Sequence, residues 1–203
     1  YADKGNYKDA MINYAKGLVY SYEGDFNKSK KYYNKALEDP NIKTKYQTIY
    51  PFILNELAAV YLDDKNFKKA KDLLTESYHF AKEAGNLTQE LQSLTILAVI
   101  FMIIEDIDLV EKTFSLAVNS IENNMNNYTE KYRKEVFSGL LYFYEMLAMF
   151  QGINGKTEDA IKTIEMSKSK ELKERLGIKF SDESIFDRSV GFSLFSNEVL
   201  ISF

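Results

Sequence analysis

The chain has 203 residues, with 26 Lys and Arg against 30 Asp and Glu. The resulting net charge of −4 exerts no long-range pull on phosphate backbones or anionic membranes, so neither nucleic acid nor membrane is an expected partner. The absence of cysteine excludes disulfides, thiolate metal sites and a cysteine nucleophile, while two prolines among long stretches of Leu, Ala, Lys, Glu and Tyr favour an all-α class.

In chain order, apolar periodicity predicts helices near 7–22, 26–38, 45–62, 67–84, 87–104, 107–124, 129–151 and 156–176. Tyr1 is preceded by no Met, basic start or apolar signal core, and Gly5 to Ala10 has the form of a turn between helices, so the chain is expected to be part of something longer. Pro51 should start or kink the third helix. The longest apolar run, Ile96 to Ile104, is about half of the roughly 20 residues that a membrane-spanning helix needs, so no span is expected. Asn123 to Asn127 should form a loop, and Gly177 a helix stop. Beyond it, Val190 to Leu194 and Val199 to Phe203 alternate around Phe195-Ser196-Asn197-Glu198, a hairpin pattern. The expected domains are therefore a helical array over 1–177 and a tail over 178–203.

The helices repeat. Gly17-x-x-Tyr20 is followed by Gly24-Asp25-Phe26 and Ser29; Ala58-x-x-Tyr61 by Lys65-Asn66-Phe67 and Ala70; Ala98-x-x-Phe101 by Glu105-Asp106-Ile107 and Val110; Ala148-x-x-Gln151 by Gly155-Lys156-Thr157 and Ala160. In each, the first and second packing sites are twelve residues apart, and four and seven residues further on come Tyr33 and Ala36, Leu74 and Ser77, Phe114 and Ala117, Ile164 and Ser167. Small residues let two helices approach closely, and the three-four-seven spacing keeps the packed residues of the second helix on one face. The turn residues tolerate turn geometry or cap the helix that follows. Steps of 41, 40 and 50 between second sites require helices longer than those of the common 34-residue unit.

This pattern resembles the tetratricopeptide (TPR) repeat family over about residues 10–176, with departures at Asn13, Val110 and Gln151. The resemblance implies an all-α, TPR-like α–α superhelix (solenoid) of about four helix pairs, here with a short hairpin-like C-terminal tail. A narrower likeness concerns Glu165-Met166-Ser167-Lys168-Ser169-Lys170-Glu171-Leu172. It resembles the last array helix before the caspase-like CHAT protease domain of many bacterial proteins, though Ser169 and Lys170 stand where that family often has Ala and Arg. The resemblance implies a regulatory arm with the first strands of a protease. The family's catalytic His and Cys have no counterpart here, so no activity is carried over.

No catalytic constellation emerges, and no cofactor or metal is expected. His79, the single histidine, lies between Glu76 and Glu83 without a second histidine, which reads as a surface residue. Asp63-Asp64 and Asp106/Asp108 read as caps of helix starts, and Gly155-Lys156-Thr157 lacks the earlier glycine of a phosphate loop. In the TPR family the first helix of each pair lines an inner wall. That projection selects Met11, Tyr14 and Leu18; Phe52, Asn55, Ala59 and Leu62; Gln92, Thr95, Val99 and Met102; and Tyr142, Glu145 and Met149 as partner-binding residues. The wall holds no Lys or Arg and suits an apolar peptide. The expected function is a cytoplasmic protein- or peptide-binding scaffold, with a receptor for a small signalling peptide as the alternative. The unpaired strand edge of the tail should also favour self-association.

Overall fold

The computed structural model describes residues 3–45, 47–127 and 129–175. Over these the chain is helical: α1 (Asp3–Tyr22), α2 (Phe26–Leu37), α3 (Tyr50–Asp63), α4 (Phe67–Glu83), α5 (Leu87–Ile103), α6 (Ile107–Asn124), α7 (Glu130–Ile153) and α8 (Thr157–Arg175), with a short 3-10 turn at Met125–Asn127. The tail 178–203 and the boundary expected at 177 lie outside the described residues. Contacts divide the chain into two compact units, Tyr1–Ala117 and Val118–Phe203.

Five of the helix junctions are built alike. At each, a residue in left-handed backbone ends one helix: Gly24 (φ 76°), Lys65 (59°), Gly85 (66°), Glu105 (58°) and Gly155 (77°). Its N–H donates to a carbonyl three residues back, and the next N–H to a carbonyl five residues back, as in Gly24 to Ser21 (3.1 Å) and Asp25 to Tyr20 (2.9 Å). The residue after the left-handed one also starts the next helix. The side chains of Asp25, Asn66, Asn86 and Asp106 accept the N–H of Lys28, Lys69, Gln89 and Leu109 at 3.0, 3.2, 3.3 and 3.1 Å. Lys156 cannot cap in this way, and Glu158 and Asp159 in the first turn of α8 complement the helix dipole instead.

The third helix starts later than expected, at Tyr50 rather than near 45, because Pro51 fits only its first turn. Residues 38–45 and 47–49 instead form turns anchored by buried Ile42, with Asp39 accepting the N–H of Asn41 at 2.9 Å.

In the first unit, Gly17 lets α2 lie close against α1. A Cβ at Gly17 would stand 2.5 Å from the Tyr33 ring, and Ser29 Oγ donates to the Gly17 carbonyl at 3.0 Å. Ala58, Ala70, Ala98, Val110, Phe114 and Ala117 are buried at the matching positions. α3 touches α1 as well as α5, so the first helices of successive pairs are neighbours.

In the second unit, α7 packs on α8, and Leu140, Tyr144, Leu147, Ala148 and Ala160 are buried. Gln151, a departure in the sequence pattern, accepts a buried hydrogen bond from Thr163 Oγ1 at 2.8 Å, which satisfies a polar group where the other pairs place apolar ones. Glu122 accepts from Tyr144 Oη (2.7 Å) and Lys170 Nζ (3.0 Å), and Glu174 accepts from Arg133 (2.8 Å). Ile164, expected to pack, is exposed together with Ile161 and Met166. Val136–Ile153 of α7 is long and apolar enough to cross a membrane by length and composition. An uninterrupted-run criterion overlooks it because Ser138, Gly139 and Glu145 break the run. Part of that apolar surface forms the packing face toward α8.

Candidate binding face

The chemically suggestive singletons are absorbed into structure. His79 is exposed beside the Tyr78 ring (centroids 5.0 Å apart), and its neighbour Glu76 accepts from Lys43 at 2.7 Å and from the Tyr50 hydroxyl. Glu76 is slightly shielded from water, yet the bonds from Lys43 and Tyr50 hold its carboxyl below the ordinary value. Burial, followed by the bond to Glu76, pushes the Tyr50 hydroxyl up to about 12. Asp106 caps α6 as expected, whereas Asp64 sits at the end of α3 and pairs with Lys30 of α2. Among the described residues no His, Asp or Glu group could hold a metal ion.

The projected wall is partly assembled. On α1, Met11, Tyr14 and Leu18 are half-buried and spaced along one stripe. On α3, Phe52 is 37% exposed, with Ala59 and Leu62 half-buried. On α5, Thr95 and Val99 are exposed and Gln92 and Met102 half-buried, although the Thr95 hydroxyl is spent on the Leu91 carbonyl at 2.8 Å. Because α3 touches both α1 and α5, these three stripes belong to adjacent helices of one unit. Tyr142, Glu145 and Met149 form an exposed stripe on α7, a separate face in the second unit.

Asn55 departs from the projection. It is 1% exposed, and its Nδ2 donates to Gln89 Oε1 at 3.1 Å while Ser93 Oγ donates to its Oδ1 at 2.8 Å. Ser93 lies 2.9 Å from Ser77 Oγ, which donates to the Pro51 carbonyl at 3.1 Å. This buried network joins α3, α4 and α5, and Asn55 is therefore not a groove residue. One residue on, Glu56 takes its place, following Phe52 by four residues and preceding Ala59 by three. Burial alone pushes its carboxyl above the ordinary range. Glu56 lies in the electrostatic reach of Tyr14 and Tyr33, whose rings are 6.1 Å apart. Burial and then the Glu56 charge push both hydroxyls up. Sequence reasoning missed Glu56 because the projection put its neighbour Asn55, about 100° away around the helix, on the wall, and only packing decides which of the two faces α5.

Residues 10–38, spanning most of α1 and all of α2, match the family model described as Tetratricopeptide repeat. No curated protein matches the sequence. Among solved structures, the TPR-like helices are similar to the crystal structure of BtubC (BKLC) from P. vanneervenii, with 16% identity and a TM-score of 0.62 over 79% of this chain and 62% of that one. That likeness shows a shared fold, and the chain spans 62% of that protein's length. The crystal structure of MamA protein is similar at 14% identity, covering 83% of this chain and 94% of that one, with a TM-score of 0.31 too low to support the assignment.

Proposed function

We propose that the chain is a scaffold that holds an apolar peptide segment along the α1–α3–α5 face. The observation carrying this reading is the row of half-buried and exposed apolar side chains on three adjacent first helices, free of Lys and Arg. Met and aromatic side chains adapt to apolar ligands, and a wall without basic residues has no means of clamping a terminal carboxylate. Two settings for such a scaffold are proposed on sequence grounds: the arm of a CHAT-type protease, from Glu165 to Leu172, and a receptor for a small peptide signal. The parent gene on either side of the segment separates them.

The test uses a phage-displayed library of nine-residue peptides selected on the full chain. Enrichment of apolar peptides is expected, and Phe52→Ser and Val99→Ser should reduce capture about tenfold or more with little change in melting temperature. A pool without enrichment, or variants that lose folding and capture together, would overturn the reading.

A further inference from the structure

The α1–α2 pair carries a different chemistry on the side away from the apolar stripe. Lys16 and Tyr20 each follow a stripe residue, Tyr14 or Leu18, by two positions, which turns them by about 200° around α1. On α2, Lys28, Tyr32 and Lys35 keep the i, i+4, i+7 spacing of a single face, clear of the buried Ser29, Tyr33 and Ala36. The two rows meet. The Tyr20 and Tyr32 rings stack with centroids 5.4 Å apart and 7° between their planes. Lys16 and Lys35 Nζ stand 5.4 and 5.7 Å from the Tyr32 centroid, and Lys28 Nζ stands 5.0 Å from that of Tyr20. The three lysines are exposed and the two rings half-buried. Asp25 holds Lys28 at 2.7 Å, whereas Lys16 and Lys35 form no ion pair among the described residues.

We infer that this patch binds a short acidic peptide segment of a partner protein, whose Asp or Glu carboxylates are spaced along an extended backbone. The ammonium groups can only donate, and the phenol hydroxyls beside them can donate as well, so the ligand that answers the patch is an anion. The ring faces hold the lysine heads in place by cation–π attraction, which lowers the entropy lost when they are ordered by a ligand. Lys28 and Lys35 are separated by about 10 Å along α2. A single phosphate is too small to answer charges spread over that length, whereas alternate side chains of an extended segment recur about every 6.6 Å. Charge complementarity also favours a short ligand. The chain as a whole has a net charge of −4 and repels a long polyanion. A segment of a few residues feels little beyond about 8 Å at physiological salt, and so responds to the local lysines. The site is separate from the apolar face and does not depend on it.

A fluorescein-labelled hexaglutamate peptide, titrated with the full chain and followed by anisotropy, tests this. Saturable binding is expected. Lys16→Gln combined with Lys35→Gln should weaken it about tenfold or more, with the melting temperature nearly unchanged because both side chains are exposed. Lys162→Gln combined with Lys168→Gln removes the same charge from exposed positions of α8, and should change the affinity by about twofold or less. Absence of saturation, or equal weakening by the two lysine pairs, overturns the site. A phosphoserine peptide or a single-stranded RNA that binds through Lys16 and Lys35 more tightly than hexaglutamate overturns the choice of ligand.

Discussion

Asn55 and Glu56 are consecutive in α3 and meet opposite surroundings. Toward α5, Asn55 enters a buried network in which Gln89, Ser93, Ser77 and the Pro51 carbonyl answer one another at 2.8 to 3.1 Å. Toward α1, Glu56 loses water and gains no partner. A satisfied buried network costs little and fixes which helix meets which. An unsatisfied group beside it persists only at a cost in stability, and such costs accumulate at binding sites.

The largest effect expected on this contrast is from Asn55→Ala, which leaves Gln89 and Ser93 buried without their partner and should lower unfolding free energy by about 2–3 kcal/mol in urea titration. A loss within a few tenths would show that the network is replaceable by water. Next is Gly17→Ala, whose added methyl meets the Tyr33 ring at 2.5 Å and should cost about 1–3 kcal/mol. Combining it with Tyr33→Leu should recover part of that cost, since the obstruction is the ring.

Glu56→Gln should have the opposite sign to Asn55→Ala. The folded chain holds the Glu56 proton more tightly than the unfolded chain, whose value is near 4.5, so parent stability falls as pH rises through the window above 4.5. The urea midpoint of the variant should exceed that of the parent near neutral pH, and the difference should close as pH drops below 4.5. A difference constant with pH would mean that Glu56 is not desolvated. The smallest expected effects lie at the joints: Gly85→Ala forces a side chain into left-handed backbone and should cost about 1 kcal/mol, while Lys65→Gly and Glu105→Gly should gain roughly 0.5 kcal/mol or less. Thermal melts of the three variants would rank them.

Most helix limits were legible in the sequence, because their signals are local: a residue that tolerates left-handed backbone, a cap and an apolar stripe. The Gly17–Ser29 and Ala58–Ala70 crossings followed from the same twelve-residue spacing. The choice between Asn55 and Glu56 was not legible, since adjacent helical positions differ by about 100° and only the arrival of α5 separates them. Exposure of Ile164 was equally hidden, being a property of what does or does not lie over α8. The start of α3 was misjudged because Pro51 permits either a kink or a beginning, and the apolar pattern before it is continuous enough to suggest the former.

In the joints at Gly24, Lys65, Gly85, Glu105 and Gly155, the residue that closes one helix hands directly to the cap of the next. Such a joint has no slack: one inserted residue would rotate everything downstream on that helix by about 100° and carry its buried stripe to the outside. Changes of length are therefore confined to the helices, in near-whole turns, and to the two longer connections, between α2 and α3 and between α6 and α7. The uneven steps between repeats are what such rigid couplings leave room for, and a peptide tag or spectroscopic label would be carried between Gln47 and Thr48 at little cost, but would unseat a helix if placed between Gly24 and Asp25.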